Sequence, residues 1–154
     1  MSVLVYRMIP GVIVMAASVA YMAPSKGPAL EYDEPRDLVA ARLMDSHRLV
    51  EGTGMGSLTI RNAYWHDGRL VVPVNAARAR RSVNCKVFLS EDDPESTRAE
   101  VDCSGPMVED SPRGAIAVQV MENIVGEHVD ATMNRRDFDY ESVYDRNMSS
   151  MMGS

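Results

Sequence analysis

The segment CKVFLSEDDPESTRAEVDC runs from Cys85 to Cys103 and contains both cysteines of the chain. Its centre, residues 92–96, combines acidic side chains, a proline and a serine, which are typical turn residues. On each side of this centre, apolar residues alternate with polar ones, as they do in half-buried β-strands. The segment therefore predicts a β-hairpin.

The register of this hairpin follows from its two faces. If the chain folds about Pro94, Val87 lies opposite Val101, and Cys85 lies opposite Cys103. A slip of one residue would separate the cysteines and mix polar with apolar side chains. Directly opposed Cα atoms are about 4.5 to 5.5 Å apart, a distance that a disulfide can bridge. We predict a Cys85–Cys103 disulfide; the alternative is two buried free thiols.

The N-terminal segment, residues 1–24, has the pattern of a signal peptide or a signal anchor. Arg7 precedes an uncharged run, and Ser18-Val19-Ala20 offers a small-x-small cleavage site. If it is not cleaved, residues 3–23 are the one part of the chain expected to enter the membrane. The alternative is a cytosolic protein whose first helix is buried in its own core. Because disulfides persist in oxidising compartments, we predict a periplasmic or extracellular protein, either soluble or anchored by a single N-terminal helix.

The length and charge of the chain limit its organisation and its partners. The chain has 154 residues and a formal net charge of −6. After a leader and a proline-rich linker at 25–35, the remaining length suits one domain, which we place at 36–134. Residues 135–154 are predicted to form a polar, partly disordered tail. The acidic balance argues against nucleic acid as a partner.

The fold class predicted from these patterns is α+β. Asp67-Gly68, between two apolar runs, indicates a second hairpin. Residues 34–49 and the segment that follows Ser111-Pro112 are predicted to form helices. We therefore expect a small antiparallel sheet of about four strands (two hairpins) flanked by an N-terminal and a C-terminal helix, with an apolar leader or anchor helix before it.

The predicted C-terminal helix is amphipathic. One side carries a polar stripe at spacings of three and four residues, and the other side is apolar. The stripe consists of Gln119, Glu122, Asn123, Gly126, Glu127 and Asp130. We expect the apolar side to lie on the sheet.

No catalytic constellation is present in the sequence. The glycine-rich segment 51–57 fits neither the dinucleotide-binding nor the P-loop spacing, and we interpret it as a connector or a bulged strand start. His47, His66 and His128 lack the spacing of metal ligands. The paired carboxylates at 91–95 lie on an exposed turn, where their pKa values cannot be raised by burial. We predict a protein that is not an enzyme and that needs no cofactor and no metal.

The remaining candidates are interaction residues. Tyr64 and Trp65 lie beside the predicted Asp-Gly turn, and Arg78, Arg80 and Arg81 form a basic cluster. Exposed aromatic residues and arginines are enriched at protein interfaces. We therefore predict a non-catalytic exported or membrane-tethered domain that docks on another protein of the cell envelope. A core role for Trp65 and a solvated connector at 78–81 are the alternatives.

Two other functions are compatible with the sequence. A small ligand could bind in a pocket between the sheet and the C-terminal helix, near His128. Alternatively, the thioethers of Met148, Met151 and Met152 could bind Cu(I), a soft ion, although these residues also suit a flexible terminus.

Overall fold

The computed structural model describes residues 29–52, 56–77, 81–105 and 112–152. The elements in chain order are β1 (Leu30–Tyr32), α1 (Arg36–Met44), β2 (Arg48–Val50), β3 (Leu58–Ile60), β4 (Tyr64–His66), β5 (Arg69–Ala76), β6 (Arg81–Asp93), β7 (Ser96–Asp102), α2 (Pro112–Met133) and α3 (Tyr140–Met152). The predicted leader at 1–24 and Ser111, which precedes α2, lie outside the described residues. None of the helices that the structure describes is long and apolar enough to span a bilayer.

The prediction of a small four-stranded sheet is wrong. In the part of the chain that the structure describes, seven strands form one curled antiparallel sheet with the order β1-β7-β6-β5-β3-β2, and β4 also pairs with β5. The three additional strands, β1, β2 and β4, have only three residues each. Such short strands show too few alternations to be separated from a linker, from a helix end or from a neighbouring strand.

The cysteine hairpin has the predicted register. Val87 pairs with Val101, and Lys86 pairs with Asp102, so that the apolar pairs share one face of β6 and β7. A bulge between Glu91 and Asp93 adds a residue to β6 close to the turn. The Cys85–Cys103 disulfide is present, with its two Cα atoms 4.1 Å apart. Its presence is consistent with an oxidising compartment.

The second predicted hairpin contains an interruption. The run expected to be one strand is divided into β3 and β4, and residues 61–63 between them leave the ladder. Pro73 of β5 lies at this gap, where its carbonyl oxygen accepts a hydrogen bond of 2.9 Å from the Arg61 amide. Proline lacks an amide proton, so within sheets it is usually confined to edge strands or bulges. Instead β5 lies inside the sheet, and the irregularity falls on the strands opposite Pro73.

The β4–β5 turn requires a glycine. Asp67 and Gly68 have φ angles of 49° and 72°, as in a two-residue type I′ turn. Gly68→Ala is therefore expected to lower the free energy of unfolding by about 1 kcal/mol, because a Cβ atom disfavours this conformation. No atom lies within 4 Å of the position that the Cβ would occupy, so the loss would reflect backbone conformation alone.

The control for this prediction is Gly105→Ala. Gly105 also has open space around it, and its φ is not in the left-handed region. Urea denaturation of both variants would measure the two effects. Equal stabilities for the Gly68 and Gly105 variants would contradict the turn assignment.

The core lies between one face of the sheet and the helices α1 and α2. Its buried side chains include Leu70, Val72 and Val74 of β5, Val87 of β6, Val101 of β7, Val39 and Leu43 of α1, and Val120, Ile124 and Val129 of α2. Helix α3, which lies in the segment predicted to be a polar tail, packs against α2. Strand β1 lies in the segment predicted to be a linker and pairs with β7. The folded domain therefore includes residues on both sides of 36–134.

Candidate functional site

A cluster of charged side chains lies at the seam between α2 and α3. Glu127 of α2 is buried, with its side chain 4% exposed. Its two oxygens accept hydrogen bonds from Arg136 (2.5 and 3.1 Å), from Arg146 Nη2 (3.2 Å) and from the backbone amide of Asp139 (2.8 Å). One carboxylate therefore binds both α3 and the loop that leads to it.

A second carboxylate extends this cluster to the sheet. Asp130 accepts hydrogen bonds from Arg136 Nη2 (2.6 Å), Asn134 Nδ2 (2.9 Å) and the Tyr32 hydroxyl (3.3 Å). Burial and the charge of Asp130 both raise the pKa of Tyr32, so this phenol keeps its proton and remains a donor. Strand β1, helix α2 and the loop that follows α2 are thus joined by one network.

The network is suited to holding the fold together. Each Glu127 oxygen already accepts two hydrogen bonds, and two arginines balance the charges of Glu127 and Asp130. The hydrogen bonds to these carboxylates raise the pKa of Arg136, which therefore stays charged. A carboxylate with no free oxygen and a fixed counter-ion is a poor acid–base group, and we interpret the network as structural.

Most of the polar stripe of α2 is buried, with Gln119 and Asp130 half-buried, which the sequence pattern did not indicate. Besides Glu127, Glu122 accepts a hydrogen bond from the Cys103 amide (3.2 Å), and Asn123 donates to the Asn147 side chain (2.9 Å). Burial raises the pKa of Glu122. One signal could have predicted this burial: the stripe has acids and amides but no lysine or arginine, and arginines follow in the next segment.

His128 is also buried, at a contact between α2 and the end of α1. The Ser46 hydroxyl donates to the Leu43 carbonyl oxygen (3.0 Å), so its oxygen accepts from Nε2–H of His128 (3.2 Å). Among the described residues, His128 Nδ1 has no hydrogen-bond partner. Burial, with smaller contributions from the charges of Arg48 and His47, lowers the pKa of His128 to about 4. His128 is therefore a packed, neutral imidazole, and binding of a small ligand between the sheet and this helix stays a prediction.

This burial predicts a loss of stability in mild acid. The unfolded chain binds a proton on this histidine below about pH 6.5, but the folded chain does so only near pH 4. Lowering the pH through this window therefore favours unfolding, by up to about 3 kcal/mol at the acid end. His128→Gln is expected to flatten the dependence of the free energy of unfolding on pH between 6.5 and 4, as measured by urea denaturation. Identical pH dependences for the variant and the wild type would refute the assignment.

Strand β4 presents the predicted interaction residues Tyr64 and Trp65. All three of its side chains are exposed, with Tyr64 43% and Trp65 40% accessible. The Arg36 guanidinium of α1 lies over the Trp65 ring, 5.3 Å from its centroid. Trp65 therefore has little part in the core and is held in place by a cation–π contact. Trp65 pairs with the core residue Leu70, so Trp65 and Arg36 lie on the face of the sheet that carries the helices, whereas Tyr64 and His66 point to the opposite face. We use the name β4 surface for Tyr64, Trp65 and His66 together with Arg36, on the two faces of this edge strand.

The other candidate residues lie elsewhere. Arg78 and Arg80 are outside the described residues, and Arg81 begins β6. Met148, Met151 and Met152 lie at spacings of three and four on α3, which brings them to one helix face. Cu(I) binding by these thioethers stays a prediction. No group of three or more His, Cys, Asp or Glu side chains that could hold a metal is found within the described ranges.

Comparisons with known proteins found no family model, no curated protein and no solved structure that matches this chain.

Proposed function

We propose that this protein is an exported, non-catalytic domain that docks on another protein of the cell envelope through the β4 surface. The observation that carries this proposal is the exposure of two aromatic side chains on the edge strand β4, one on each face, of which Trp65 is held by Arg36. Tryptophan, tyrosine and arginine are the residues most enriched among those that dominate binding energy at interfaces.

Export is supported by two independent features. The Cys85–Cys103 disulfide is consistent with an oxidising compartment. The sequence of residues 1–24 has the order of charge, apolar run and small residues that is typical of a leader. We propose a periplasmic or extracellular location, with residues 3–23 as a membrane anchor if the leader is not cleaved.

The arrangement of the β4 surface favours binding because the Trp65 side chain has lost part of its conformational freedom before a partner binds. Ordering a flexible side chain at an interface costs about 0.5 to 1.5 kcal/mol. Trp65 is already restrained by Arg36 on one side and by the pairing of β4 with β5, in which Trp65 lies opposite Leu70. A partner can therefore bind a surface whose shape exists before contact.

The experiment compares two double variants in capture from envelope extracts. Tyr64→Ala with Trp65→Ala removes the aromatic side chains of the β4 surface. Tyr140→Ala with Tyr144→Ala removes two aromatic side chains of α3 that are at least as exposed. We expect the wild type and the α3 variant to retain the same identified protein at equal stoichiometry, and the β4 variant to lose it. Equal retention by both variants, each shown to be folded, would refute docking through β4.

A further inference from the structure

We propose that the C-terminal end of α3 binds one Cu(I) ion through the thioethers of Met148, Met151 and Met152. This site is separate from the β4 surface and concerns a metal ion rather than a protein partner. Four features carry the inference: the spacing of the three methionines, their exposure, the charge at the end of the helix and the softness of the sulfur atoms.

The helix brings the three thioethers within reach of one ion. Helix α3 runs from Tyr140 to Met152 and includes all three methionines. Met151 and Met152 follow Met148 by three and four residues, so their Cβ atoms lie about 5 to 6 Å from that of Met148. At 3.6 residues per turn, these two positions flank Met148 on its two sides. Because methionine is unbranched and has three rotatable bonds, the three sulfurs can converge on one point above Met148.

The three methionines are accessible at the surface of α3. Met151 and Met152 are 48% and 77% exposed, and Met148 is half-buried. Helix α3 is joined to α2 through other side chains, among them Arg146 and Asn147. An ion can therefore bind at the end of α3 without unpacking the two helices.

The charge at this end of α3 favours a cation. The peptide dipoles of a helix sum to a partial negative charge at its C-terminus, where the last carbonyl groups lack donors within the helix. The last turn of α3 contains no basic residue, and its one arginine, Arg146, is bound to Glu127. Asp145, which is exposed and lies three residues before Met148, adds a negative charge. A cation bound there is attracted by the helix and is not repelled by a basic side chain of its last turn.

The donor atoms select the kind of cation. Thioether sulfur is a soft ligand that suits Cu(I), whereas Ca²⁺ and Mg²⁺ prefer oxygen. Both cysteines of the chain are joined in the Cys85–Cys103 disulfide, so no thiolate of this chain competes for a soft ion. Thioethers do not form disulfides, and they therefore remain ligands in the oxidising compartment proposed for this protein.

The test is a titration of the full oxidised chain, labelled with ¹³C in its methionine methyl groups, with tetrakis(acetonitrile)copper(I) in the absence of oxygen. We expect the methyl signals of Met148, Met151 and Met152 to shift together and to saturate at one ion per chain. Replacing any one of them by leucine removes the sulfur and keeps an apolar side chain of similar size. Each replacement should weaken binding by at least about 10-fold, because even outer-shell partners of a metal are worth 10- to 100-fold in affinity.

The control for this titration is Met44, an exposed methionine of α1. Its methyl signal should not shift, and Met44→Leu should leave the affinity unchanged. The absence of any shift at α3, or shifts at Met44 and α3 that grow together without saturation, would overturn the proposal.

A second pair of variants separates the spacing of the methionines from their number. Met152→Leu leaves two thioethers in place. Adding Ser149→Met restores three methionines, at a position that is exposed. The added residue directly follows Met148, and successive side chains do not face each other on a helix. We therefore expect both variants to bind Cu(I) with the same lowered affinity. Recovery of the wild-type affinity by the added methionine would contradict a site built on this helical spacing.

Discussion

Glu127→Gln is expected to lower the free energy of unfolding by about 3 kcal/mol, the lower end of the range for breaking a buried ion pair. The substitution keeps the shape of the side chain but removes the charge that balances Arg136 and Arg146. Because these arginines are 36% and 34% exposed, water can partly compensate them, which limits the loss. Urea denaturation, with the midpoint and slope compared with those of the wild type, measures this effect.

The matched control is Asp145→Asn, which removes one negative charge from an exposed position of α3. It should change stability by less than about 0.5 kcal/mol, as surface substitutions usually do. If both variants lose the same stability, the effect reflects net charge, and the interpretation of Glu127 as the centre of the α2–α3 seam fails.

Removing the disulfide should have an effect of similar size. Cys85→Ala with Cys103→Ala is expected to lower the free energy of unfolding by about 3 kcal/mol, because the unfolded chain regains the freedom of a loop that spans 18 residues. Both cysteines are buried in the core, and alanine fills their place without adding a polar group. Urea denaturation of the oxidised wild type and the variant measures the difference.

A reductant supplies the control for this prediction. The wild type under reducing conditions should approach the stability of the double variant, whereas the variant should not respond to the reductant. An oxidised wild type that is no more stable than the variant would show that the bridge does not form in solution.

The register of β6 and β7 could be predicted because three signals agreed. The acidic turn, the alternation of apolar residues and the positions of Cys85 and Cys103 all require the same pairing. Each signal depends only on nearby residues, and a shifted register would violate each of them. Local consistency of this kind can be recognised in a single sequence.

The extent of the sheet could not be predicted, because its short strands are determined by tertiary contacts. β2 has only three residues and is defined by its pairing with β3, so it has no pattern that is recognisable by itself. Similarly, the loop between β3 and β4 is held by α1: the Ala63 amide donates to the Leu43 carbonyl oxygen (3.2 Å), and Asn62 donates to that of Met44 (3.0 Å). Such contacts link residues that are far apart in the sequence and produce no periodic pattern of apolar residues.

The polar stripe of α2 was recognised from the sequence, but its burial was not. A polar stripe on an amphipathic helix usually faces water. Here the partner of the stripe is a second polar helix, α3, so that Glu127 meets Arg146 and Asn123 meets Asn147. The hydrophobic pattern of α2 does not distinguish water from a polar protein surface.

The candidate interface was predicted in part. Tyr64 and Trp65 were found from their position beside the Asp-Gly turn, and the structure shows that they are exposed. The contribution of Arg36 could not be predicted, because it lies 29 positions before Trp65 and reaches that ring only through the packing of α1.

The most direct test of docking through β4 is photo-crosslinking in the native cell. A photoreactive phenylalanine analogue would replace Trp65 in one strain and Tyr144, on the exposed side of α3, in another. The proposed function predicts one dominant crosslink to an envelope protein from position 65 and none to that protein from position 144. No crosslink from position 65, or the same products from both positions, would contradict it.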